Sequence, residues 1–165
     1  MSDVNPHSTA KIADHPLHPM IVPFPITFLV SALATDLVYL NTDAPIWARA
    51  SMWLLGAGIA MALLAAVLGL TDFLGDPRVR RIREAWLHMG GNLVAVLIAA
   101  VNFYLRAAGG AVDAVSPLGV ALSAVTVGLL LFNGWMGWAL VYRHHVGVSD
   151  APRPAAEPFE AHQAR

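Results

Sequence analysis

Four stretches without a single Asp, Glu, Lys or Arg constrain this chain more than anything else in it: residues 15–35, 50–71, 85–105 and 114–142. Each reaches the roughly 20 residues needed to cross a hydrocarbon core about 30 Å thick. Backbone groups inside lipid must be satisfied internally, so segments of this kind can only be helices. Charged residues make up 13% of the 165, against about 25% in a soluble domain, too few to cover a globular surface. The expected fold is therefore all-α: a polytopic membrane protein built as an up-down-up-down bundle of four transmembrane helices, because connections this short permit only antiparallel neighbours.

The spans are expected at about 20–40, 50–71, 85–105 and 118–142. They follow a polar leader, residues 1–14, within a transmembrane domain of residues 15–148, and a Pro- and Ala-rich tail at 149–165 is expected to be disordered. Pro23 and Pro25 interrupt the first apolar region and Lys11 is the leader's one basic residue, so a cleaved signal peptide is disfavoured. The absence of cysteine removes thiolate ligands and cysteine nucleophiles, and a net charge of −1 points away from nucleic acid. The serines form no nucleophile elbow, and no catalytic activity of the chain's own is expected.

Orientation follows from the basic residues. Lys11, Arg78, Arg80, Arg81, Arg83, Arg143, Arg153 and Arg165 fall in the termini and second loop, while Arg49 and Arg106 fall in the first and third. That bias places both termini in the cytoplasm of a bacterial inner membrane. Rows of small residues (Gly58, Ala62, Ala66; Ala65, Gly69; Gly128, Gly134, Gly137) suit close helix contact, within the bundle or in a homo-oligomer.

Four crossings gather unusual residues at one end. His15 and His18 precede the first span, Asp72 closes the second, His88 opens the third, and His144 and His145 close the fourth. In His15-Pro16-Leu17-His18-Pro19 each histidine precedes a proline, which disfavours helix and predicts an extended segment with both rings on one side. Asn92 shares a helix face with His88. Asp72 is close enough in sequence to reach His88 and to orient an imidazole. One reading makes His18 and His88, with His145 as an alternative, ligands of a b-type haem. Another uses His15, His18, Asp72, His88 and His145 for a transition metal. A third treats the histidines as interfacial residues of a non-enzymatic subunit or scaffold in a larger membrane complex. Asp36, near the far end of the first span, either belongs to a proton or cation route or bonds locally; Asn133 is expected to bond between helices.

The pattern His15-Pro16-x-His18-Pro19, Val22-x-Phe24-Pro25-Ile26 and Asp36, continued by Asp72, His88 with Asn92, Gly134-x-x-Gly137 and Tyr142-Arg143-x-His145-x-Gly147-Val148, resembles the bacterial membrane family catalogued as domain of unknown function 2231. The resemblance covers about residues 14–148 and implies four helices. Relatives joined to Rieske or cytochrome c-like modules imply redox proteins as partners, besides the lipid bilayer and other membrane subunits.

Overall fold

The computed structural model describes residues 5–148. Residues 11–12 and 15–16 pair as two short antiparallel strands, Lys11 opposite Pro16 and Ile12 opposite His15. Five α-helices follow: α1 (Leu17–Ile21), α2 (Pro23–Thr42), α3 (Pro45–Gly75), α4 (Arg83–Gly109) and α5 (Val120–Trp138). A 3-10 turn, Val79–Arg81, leads into α4, and π-type turns at Val115–Gly119 and Ala139–Arg143 flank α5. Four helical segments are long and apolar enough to span a membrane: Leu17–Thr42, Pro45–Gly75, Arg83–Gly109 and Val115–Arg143. They cover the four expected spans and run a few residues beyond them. The proposed tail at 149–165 lies outside the described residues.

The apolar windows of these spans are only 17–22% buried within the protein. Many large hydrophobic side chains, among them Val67, Leu93, Val101, Val125 and Leu131, point outward. A soluble bundle could not present that surface to water; lipid can cover it. The interior is correspondingly small. Leu29, Ala32, Leu55 and Ala99 form its centre, and Phe73, Val79 and Ala85 a second cluster near the termini. Gly58 lets α3 approach Leu29 so closely that a Cβ there would stand 2.8 Å from that side chain. Gly128 and Gly134, by contrast, face open space and make no close contact within the bundle.

Helix α2 packs mainly on α3 and α4 mainly on α5, so the bundle is two hairpins joined along a seam. Both described ends of the chain lie at one end of it: the Gly147 N–H donates to the Pro6 carbonyl at 2.9 Å, and the Asn5 amide to the Val148 carbonyl.

The His-Pro segment departs from the sequence expectation. His15-Pro16 is extended, but His18 and Pro19 lie inside α1. Pro19 falls in the first helical turn, where its missing N–H costs no hydrogen bond. The Val22 N–H donates to the His18 carbonyl, and Pro23 begins α2. His15 and His18 therefore part company.

Candidate functional site

Two polar layers occupy the bundle. Eighteen residues of α4 separate His88 from Arg106, about 27 Å at 1.5 Å per residue, so the layers sit near opposite faces of a bilayer.

The layer at the termini contains His18 and His88. The His18 Nδ1 lies 2.8 Å from the Ala65 carbonyl on α3, and the His88 Nδ1 lies 3.0 Å from the Asn133 carbonyl on α5. A helical carbonyl has a second lone pair beyond the one its own ladder uses. It can only accept, so each Nδ1 carries a proton, and in the neutral ring Nε2 is then the atom with the lone pair. The same local device serves both rings. Gly69 follows Ala65 by four residues and Gly137 follows Asn133 by four. A Cβ on Gly69 would stand 2.9 Å from the His18 ring, and one on Gly137 would stand 3.2 Å from the His88 ring. Only a missing side chain at the next turn lets an imidazole reach the carbonyl.

The two rings have centroids 6.4 Å apart and planes at 82°. Neither Nε2 has a hydrogen-bond partner among the described residues. Beside them, the Asn133 side chain is 2% exposed, yet neither its amide nitrogen nor its oxygen has a partner. It lies against Gly91, where a Cβ would collide with Asn133 Oδ1. The interhelical bond expected of Asn133 is thus made by its backbone carbonyl. Asn92 is half-buried on the turn beyond His88.

The other candidates stand apart. Exposed His15 bonds the Ala13 carbonyl through Nδ1. Asp72 does not orient an imidazole: its Oδ1 accepts from Ser8 Oγ at 2.9 Å and from the backbone N–H groups of Thr9 and Ala10 at 2.7 Å each. His145 is exposed with φ 53°, a left-handed conformation, while His144 turns inward with Nε2 3.3 Å from a Glu84 carboxylate oxygen. Among the described residues no group of three or more His, Asp or Glu is placed to hold a metal ion. The five-residue metal cluster expected from the sequence therefore reduces to two histidines.

At the leader, Asp76 accepts the His7 N–H at 2.9 Å and pairs with Arg78 at 2.8 Å. Chiefly the Arg78 guanidinium, helped by the backbone N–H groups of His7 and Arg78, holds its carboxyl far below the ordinary carboxylate range.

The remote layer was largely missed. Arg106, counted as a loop charge, is in the last turns of α4 and 1% exposed. Its two terminal nitrogens meet the two Asp36 oxygens at 2.7 Å each, a bidentate pair between α4 and α2. Arg106 also donates to Asn102 Oδ1 and to the hydroxyls of Ser51 and Ser123. Ser123 in turn donates to Asp36, and the Asn102 amide to Ser123 and the Gly119 carbonyl. All four spans meet there, and the carboxylate is fully paired. The signal available was two opposite charges, Asp36 and Arg106, at the same end of alternate spans.

Residues 14–150 match the profile of the DUF2231 family, described as a predicted membrane protein, and the chain belongs to that family. No curated protein and no solved structure matches it.

Proposed function

We propose that this member of the family is an electron-transfer accessory protein of the bacterial inner membrane, in which His18 and His88 would hold a b-type haem. The observation that carries the reading is the pair itself: two imidazoles on separate hairpins, both locked by Nδ1 with Nε2 free. The ring centroids are 6.4 Å apart, so one group lying between the hairpins could be held by both.

A bare transition-metal ion needs about four protein ligands, and two are offered. A macrocycle that brings its own equatorial nitrogens needs just these two. The orphaned Asn133 amide supports a polar group of a bound molecule beside the pair, since buried amides are otherwise satisfied. Haem, when bound, supplies a one-electron iron couple. The chain's own residues would do the rest: the Ala65 and Asn133 carbonyls orient the ligands, and the hairpins keep bulk water from them. Basic residues at the termini end support a cytoplasmic location for this layer, the more so because Arg106 is neutralised inside the bundle.

Purified protein titrated with haem tests this. A Soret band of six-coordinate low-spin type, lost in His18→Ala and in His88→Ala, is expected. No Soret band and no metal by elemental analysis would end it.

A structural-subunit reading has one observation in its favour. Trp135 and Trp138 of α5 and Tyr142 of the π-type turn after it form an exposed aromatic row with centroids 6.0 and 5.7 Å apart, beside the open notch at Gly134. In that case His18→Asn with His88→Asn leaves assembly and any associated activity unchanged.

A further inference from the structure

We infer that Asp72 is a positioning residue for His18, clamping the arm that carries this ligand into place; the inference rests on the reading of His18 and His88 as a ligand pair. The two histidines are held in different ways. His88 belongs to the 27-residue α4, packed along the bundle. His18 belongs to the five-residue α1, which contributes no buried residue. Ala10 is the arm's one buried apolar residue, so polar fastenings must do most of the holding.

The fastenings converge on the end of α3. One Asp72 oxygen accepts the Ser8 hydroxyl and the N–H groups of Thr9 and Ala10. The Thr9 hydroxyl donates to the Thr71 carbonyl. The Ala10 carbonyl then accepts the Leu17 N–H at 2.9 Å, closing residues 10–17 into a loop. His18 is the next residue. A short chain thus runs from carboxylate to ligand: Asp72 fixes the Ala10 N–H, the Ala10 carbonyl fixes Leu17, and Leu17 delivers His18 to the Ala65 carbonyl. The same helix supplies both ends of the route, Asp72 for the arm and Ala65 with Gly69 for the ring.

Removing the carboxylate strands two backbone N–H groups and a hydroxyl, whereas asparagine retains an acceptor oxygen at the same place. The arm should therefore open about tenfold more often in Asp72→Ala, and Asp72→Asn should restore most of the docking.

Two measurements test this. The chain has no cysteine, so Ile12→Cys on the arm and Leu93→Cys on α4, 66% and 61% exposed, take spin labels cleanly. One narrow distance distribution is expected with Asp72, a broadened one with Asp72→Ala, and near recovery with Asp72→Asn. Identical distributions in all three overturn the inference, whether or not a cofactor binds. On haem-loaded protein, Asp72→Ala should shift the iron partly to high spin and raise its accessibility to carbon monoxide about tenfold, while bound haem stays near the native amount. A loaded Asp72→Ala protein with native spin state and native carbon monoxide accessibility also overturns it, leaving the ligand pair standing. Failure of the native protein to take up haem removes the ligand pair, and the label distances still decide the arm. If Asp72→Ala does not fold, Ser8→Ala, which deletes one of the three donors, is expected to broaden the distribution slightly, and no broadening counts against the clamp.

Discussion

The two polar layers of this bundle differ in whether their hydrogen bonding closes. In the layer remote from the termini, Arg106 has acceptors at all three of its guanidinium nitrogens, and both Asp36 oxygens are taken. In the layer at the termini, two imidazole Nε2 atoms and the whole Asn133 amide are without partners among the described residues. A closed network in a low-dielectric interior locks helices together and has no site left for a proton or a ligand. An open one costs free energy unless something completes it. The difference separates a clasp from a candidate binding site.

The largest effect should come from breaking the clasp. Asp36→Ala or Arg106→Ala strands a buried charge and should destabilise the protein by about 3–5 kcal/mol, measured by unfolding in mixed micelles. The double replacement Asp36→Leu with Arg106→Met should cost less than either single change, because no lone charge remains.

Next come the glycine notches. Gly69→Ala drives a Cβ toward His18 and Gly137→Ala one toward His88, each costing about 1–3 kcal/mol if the neighbours cannot yield. Gly69→Ala, the tighter position, should weaken haem uptake more in a binding titration. Equal indifference at both positions would show that the carbonyl bonds do not set the ligand geometry.

Opposite signs are expected for two polar deletions. Ser123→Ala removes a bond to a buried carboxylate and should destabilise by about 1–3 kcal/mol. Asn133→Leu removes an amide that is already unpaired, so protein without cofactor should melt at the same temperature or higher, while haem affinity falls. Destabilisation by Asn133→Leu in the absence of cofactor would mean that the amide has a partner of its own.

The smallest effect concerns pH. The Asp76 carboxyl is held below its ordinary value of about 3.9. The ionised form is therefore favoured in the folded state, and its contribution is complete above that value. It is lost as pH falls further, toward the depressed folded value. Asp76→Asn should flatten the acid end of the stability profile below about pH 4, its cost appearing at neutral pH and vanishing in acid. Amide exchange at His7, whose N–H bonds Asp76, would report the local loosening.

The spans were legible because lipid excludes charge, and a gap between charged residues needs no finer signal than that. Parity then placed His18 and His88 at one end, and the structure brings those two together. What stayed hidden depends on backbone atoms. Every residue has a carbonyl, so nothing in the letters marks Ala65 and Asn133 as acceptors; the glycines four residues later were the only trace. Side chain matched with side chain, Asp72 reads as the partner of an imidazole, whereas its partners are mostly N–H groups of the leader. Arg106 was misplaced because a charge was taken to end a span, when an opposite charge at equal depth lets the helix continue to Gly109. His18 was expected outside helix because of the proline after it, a preference that a first helical turn does not enforce.

The Pro6–Gly147 bond and the His88–Asn133 bond have a consequence for biogenesis. A ribosome releases His18 well before the fourth segment, which supplies the carbonyl for His88. The two imidazoles are thus both held only after the fourth span has joined the bundle, so a chain still lacking that span cannot present the finished pair.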